Sequence, residues 1–127
     1  MNQFSDQNNK YNLEERTAEF EENIIELAQK VPRNVITTPI LNQIIRSGTS
    51  IGANYYEANN ASSKIDFRNK IYISKKETNE TKFWLRMLVK IDPSLKDRVR
   101  ELWQEAQELN MIFQKIISSL EKNRKKS

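Results

Sequence analysis

Apolar positions recur along this chain at alternating steps of four and three residues, the spacing that lines one face of a helix. Leu13, Thr17, Phe20, Ile24, Leu27 and Val31 form a first stripe, with Asn12 and Glu15 spaced as a capping box and Pro32 just beyond its end. A second stripe, Leu41, Ile44, Gly48, Ile51, Tyr55 and Ala58, follows Thr38 as N-cap and Pro39 at the first helical position. The third starts at Ser63, with Asp66 three residues on, and runs through Phe67, Ile71, Ser74, Thr78, Thr81, Leu85 and Leu88, so its middle is polar. Asp92 and Pro93 then break the chain and start a fourth: Val99, Leu102, Ala106, Leu109, Phe113, Ile116 and Leu120. Short connections make successive helices antiparallel neighbours, so the pattern predicts an all-α fold, an antiparallel up-down-up-down four-helix bundle over residues 12–121. Residues 1–11 read as a disordered N-terminal segment and residues 122–127 as a basic C-terminal tail.

The second stripe carries an anomaly. Both glycines of the chain, Gly48 and Gly52, lie one turn apart inside it, where each costs roughly 1 kcal/mol relative to alanine. A missing side chain is useful there if another helix approaches closely, and Ser47, Ser50 and Ala53 around the glycines are small as well. From Thr38 to Ala61 only Arg46 and Glu57 are charged, although 30% of the whole chain is. A helix so poor in charge is covered on most of its circumference. Arg46, Gly48, Ser50, Gly52, Asn54 and Glu57 are therefore the candidate helix or oligomer interface. Arg46 and Glu57 stand about 16 Å apart along one helix and cannot pair within it. A carboxylate such as Glu77 or Glu80, from the third helix or from another subunit, is the expected partner of Arg46. Asn54 and Glu57 are expected to set register as buried polar groups.

Composition removes most catalytic chemistry. The chain of 127 residues is the size of one domain and has no cysteine and no histidine, which takes away thiolate metal sites, disulfides and the commonest general base and metal ligand. Glu57, Glu77, Glu80 and Glu105 on facing helices would suit a carboxylate-bridged metal pair, but such a site also needs Glu-x-x-His motifs. No phosphate-binding loop or nucleophile elbow is present, and Ser47, Thr49 and Ser50 read as packing residues. The expectation is no catalytic residue, no metal and no cofactor. No stretch is apolar for the length of a membrane span, and the opening residues lack the apolar core of a signal peptide, so a cytoplasmic protein without membrane contact is expected.

Three segments carry a family resemblance: Arg46-Ser-Gly-Thr-Ser-Ile-Gly-Ala-Asn-Tyr-Tyr-Glu-Ala-Asn59, then Ser63-Lys-Ile-Asp-Phe67, then Lys76-Glu-Thr-Asn-Glu-Thr81 ahead of Trp84-Leu85. In this order they resemble the bacterial 23S ribosomal RNA intervening-sequence proteins, across about residues 13–121. The resemblance implies a small cytoplasmic four-helix bundle that assembles as a homopentamer, is encoded in many cases within insertions of ribosomal RNA genes, and has no established catalytic activity. A related branch, the accessory protein of diversity-generating retroelements, implies a second possibility: a protein-interaction module that partners a reverse transcriptase, or a scaffold.

Charge and off-stripe side chains bear on both assembly and partner. Ile25 and Ala28, Ile73, Trp84 and Ile91, and Trp103 and Ile117 fall outside the main stripes, and a monomer is expected to expose many of them. Residues 1–30 hold three cations against seven carboxylates, whereas residues 61–91 hold eight against three. Within that excess, Lys64, Arg68, Lys75, Lys82, Arg86 and Lys90 fall within about 80° of helical arc, in a strip roughly 39 Å long. Such a strip can follow the phosphates of RNA or DNA, with the Lys122, Arg124, Lys125 and Lys126 tail adding to the field. No aromatic motif for base stacking is visible, so the expected binding is led by charge and shape.

Overall fold

The structure is a computed structural model that describes the backbone of residues 2–126 and the side chains of residues 12–123. The side chains of residues 1–11, read as a disordered segment, and those of the basic tail beyond Asn123 lie outside the described residues. Four helices follow one another: α1 (Asn2–Lys30), α2 (Thr37–Asn59), α3 (Lys64–Ile91) and α4 (Lys96–Lys126), with a 3-10 turn, Pro93–Leu95, between the last two. Contacts between neighbours run in opposite directions along the chain. Against α2, Glu14 of α1 meets Asn59, Glu21 meets Gly52 and Ile24 meets Gly48. Between α2 and α3, Ser47 meets Thr81 and Glu57 meets Lys70; between α3 and α4, Arg68 meets Glu121 and Lys82 meets Gln107. The helices are thus antiparallel in sequence order, and Arg16 closes α1 onto α4 through Glu105 and Glu108.

The stripes of α1 and α2 enter the core at every expected position, and α3 does so from Ile71 to Leu88. On α4 the burial shifts: Ile117 is in the core, while Ile116 and Leu120 are half-buried. A straight helix turns once in 3.6 residues and drifts by about 20° per heptad, so a strict seven-residue pattern leaves the core after a few turns.

Helix ends depart from expectation in two places. Asn12 lies inside α1, so Asn12 and Glu15 are neighbours on a continuing helix and form no cap. At α2 the capping side chain is Asn34: its Oδ1 accepts from the N–H groups of Ile36 and Thr37, both at 2.9 Å. The buried Thr37 hydroxyl accepts from Asn34 N at 2.9 Å and donates to Pro32 O at 2.7 Å. Together they tie the connection to the helix one turn before Thr38. The other two ends match. Ser63 Oγ accepts from Asp66 N at 3.0 Å, and Asp92 Oδ1 accepts from Ser94 N at 3.1 Å to turn the chain into α4.

The polar middle of α3 packs on α2 through small hydroxyl residues. Ser74, Thr78, Thr81 and Ser47 are fully buried, and each finds a partner. Ser74 donates to Ile51 O across the helices at 3.0 Å, Thr78 to Ser74 O at 2.7 Å, and Ser47 to Gln43 O at 2.8 Å. The Thr81 hydroxyl lies 2.9 Å from Ser47 Oγ and 2.8 Å from Glu77 O. Satisfied in this way, the hydroxyls escape the desolvation cost of unpaired buried groups.

Candidate nucleic-acid interface

The six cations of the α3 strip are not equivalent. Arg68 is half-buried, pairs with Glu121 of α4 at 2.9 Å and lies 5.4 Å from the Tyr72 ring centroid. Hydrogen bonding to Tyr72, with Glu121 beside it, raises its pKa and holds it charged but already partnered. Lys82 donates to Gln107 of α4, and its Nζ sits 4.6 Å from the centroid of the Trp103 ring. Among the described residues, Lys64, Lys75, Arg86 and Lys90 make no ion pair or hydrogen bond.

Arg86 gains company that the α3 pattern did not reveal. Near the Pro93 turn, a groove of about 360 Å³ is lined by Arg86 and Val89 of α3 and by Lys96, Val99, Arg100, Trp103 and Gln104 of α4. None of these lining residues is acidic. Lys96 and Arg100 were missed, and Trp103 stood out only as an off-stripe apolar residue, because they lie on another helix; only their recurrence at steps of four and three on α4 would have placed them on one face. Trp103 thus places an aromatic ring in the lining of this groove. At the opposite end of the α3–α4 seam the lining includes a carboxylate, Glu121, beside Tyr72, Gln114 and Lys122, and Glu121 takes up Arg68.

The α2 interface residues separate into two kinds of contact. Arg46 does meet the expected carboxylates, within its own subunit: it pairs with Glu77 at 2.9 Å and with Glu80. Glu77 is only 6% exposed, so this pair keeps a buried carboxylate from standing alone. The glycines face α1. A Cβ on Gly48 would lie 3.0 Å from Ile24 Cγ2, and one on Gly52 would lie 2.6 Å from Glu21 Oε1. Gly52 N–H instead donates to that oxygen at 2.5 Å. Burial there, against a weaker lowering by the Gly52 bond, pushes the Glu21 carboxyl up to about 7. The groove around it, lined also by Glu14, Thr17, Ala18, Ala53 and Tyr56, has no cation among its described lining residues.

Within one subunit, Asn54 and Glu57 make local contacts. Asn54 donates to Ser50 O of its own helix at 2.8 Å, and Ser50 Oγ to Arg46 O at 2.6 Å, so neither bridges helices. Glu57 is exposed in the single chain and pairs with Lys70 at 3.1 Å. The carboxylates considered for a metal pair are also dispersed, Glu57 to Lys70, Glu77 and Glu80 to Arg46, and Glu105 to Arg16. Of the off-stripe apolar residues, Ala28 and Ile117 are core, Trp84, Ile91 and Trp103 are half-buried, and Ile25 and Ile73 are exposed. Other large apolar side chains also face outward: Val35 and Ile36 ahead of α2, Tyr56 on α2, Ile65, Tyr72 and Phe83 on α3, and Met111 on α4. Among the described residues, no helix is long and apolar enough to cross a membrane.

A family model described as 23S rRNA-intervening sequence protein matches residues 9–125 of this chain. A solved structure of a protein of unknown function from the S23 ribosomal protein family of Bacteroides thetaiotaomicron is similar to it with a TM-score of 0.76 and 33% identity, covering 86% of this chain and 97% of that one. Comparison with curated proteins returns no match.

Proposed function

This chain belongs to the 23S rRNA-intervening sequence protein family, and from that premise we propose that it is a non-catalytic bundle that binds nucleic acid, RNA foremost, along the basic seam of α3 and α4. The observation that carries the reading is the groove where Arg86, Lys96 and Arg100 converge with no acidic lining residue. Lys75 and Lys90, also without partners among the described residues, extend the field along α3. Cations in this arrangement neutralise phosphates and release counterions, whatever the base sequence.

Assembly belongs to the same proposal. Ile65, Tyr72 and Phe83 repeat along the outward face of α3, and Phe83 remains 51% exposed although its ring packs edge-on against Trp84. Contact with other copies would cover such side chains, and the homopentamer is the assembly that the family resemblance implies. Light scattering is then expected to give a mass near five times the 15.0 kDa of one chain; a monomer at micromolar concentration contradicts it.

The test of binding is a triple replacement, Arg86→Gln, Lys96→Gln and Arg100→Gln. Exposed charges contribute little to stability, so helicity and mass should persist while RNA affinity falls. The dependence of log affinity on log salt should become shallower by about 0.7 to 0.9 for each phosphate contact removed. Absence of RNA binding by the wild-type protein at low salt, or an unchanged slope in the variant, overturns the proposal.

A further inference from the structure

Resting on the nucleic-acid reading above, we infer that the α3–α4 groove selects single strands, stacking one base on Trp103 while Arg86, Lys96 and Arg100 hold the flanking phosphates. The lining combines the two elements such a site requires, an aromatic face and a cluster of cations free of carboxylates. Val89 and Val99 supply an apolar wall, and Gln104 lines the groove with an amide that can meet a base edge. A groove of about 360 Å³ is on the scale of one nucleotide. A duplex keeps its bases stacked on one another, and they reach a protein ring only after leaving the helix.

Lys82 shows that a face of the indole is accessible to a polar group. Its Nζ lies 4.6 Å from the ring centroid, and the same atom donates to Gln107. Neither Lys82 nor Gln107 is among the residues lining the groove, so a base that enters it stacks on Trp103 while this ammonium stays beside the ring.

The chain has two tryptophans, so Trp84→Phe leaves Trp103 as the reporter. Three probes are titrated into that variant: a short single-stranded RNA, DNA of the same sequence, and the RNA annealed to its complement. Trp103 fluorescence should be quenched in step with binding by the single strands and unaffected by the duplex, and the tighter single strand identifies the sugar preferred. In the otherwise wild-type protein, Trp103→Leu should weaken single-strand binding by roughly 5- to 100-fold with no change in salt slope. Trp103→Phe should recover most of the loss. Should the leucine variant fail to fold, the quenching data and the phenylalanine variant decide. Duplex bound as tightly as single strand, without quenching, overturns the inference and leaves binding by charge intact. Failure of every probe to bind overturns both.

Discussion

Gly52 and Glu21 show how one missing side chain alters the chemistry of another residue. Because position 52 has no Cβ, the Glu21 carboxyl reaches the α2 backbone and is buried there, with its pKa pushed up to about 7. In the folded state the group therefore binds its proton more tightly than in the unfolded chain. Stability from this site is fully present below the unfolded value near 4.5 and is lost as pH rises through about 7. Glu21→Gln keeps an oxygen for Gly52 N–H and removes the titration. It should stabilise the protein at pH 8 by about 1 to 2 kcal/mol, allowing for the partial solvent exposure of the site, and flatten the melting temperature between pH 5 and 8. Gly52→Ala should flatten the same profile by expelling the carboxyl from the groove. A profile that keeps its wild-type slope in both variants would place the titrating group elsewhere. The glycines were legible in the sequence as a point of close approach. Glu21 was not, because seven carboxylates crowd residues 1–30 and nothing local distinguishes the one opposite Gly52.

Among the helices, those stripes were most legible that rest on a single periodic face. Those of α1 and α2 are buried as spaced, whereas that of α4 slips to Ile117 because spacing in sequence is not spacing around a straight helix. Caps were less legible. Thr38-Pro39 is a good local signal, yet Asn34 holds the start of α2 because Thr37 bonds back to Pro32 and adds a turn ahead of it. Asn34→Ala should accordingly cost about 1 kcal/mol, and Thr38→Ala much less, in urea unfolding. Equal effects would return the cap to Thr38. The candidate site was half legible for a related reason. The α3 cations share one helix and could be placed together from their spacing, but Trp103, Lys96 and Arg100 join them only through the packing of α4.

At the scale of the whole molecule, charge is sorted by helix. Acidic α1 lies against α2 and meets α4 through Arg16, while the α3–α4 seam beside the Pro93 turn keeps cations without partners among the described residues. That separation preserves a positive field which neighbouring carboxylates would otherwise cancel. The packing is also uneven. The α2–α3 pair is the most extensive contact in the bundle, and α1 touches α4 far more sparsely than α4 touches α3. Between α1 and α4 an open groove lies among Leu13, Arg16, Tyr55, Ile112 and Ile116.

Uneven packing implies that the bundle does not open as one body. The α2–α3 hairpin, with its buried hydroxyl seam, forms the most protected cooperative unit, and α1 is attached by one seam and a few charged bridges. Native-state amide hydrogen exchange should rank α1 as fastest and the facing turns of α2 and α3, around Ser47, Ile51, Ser74 and Thr78, as slowest. Raising the salt concentration should accelerate exchange in α1 more than in α3, since screening weakens the Arg16 bridges and leaves the hydroxyl seam untouched. Uniform exchange across the four helices would show instead that unfolding is all-or-none. If the ranking holds, α1 can leave and return while the α2–α3 hairpin stays formed, giving the molecule a partly unfolded state at a lower free energy than complete unfolding.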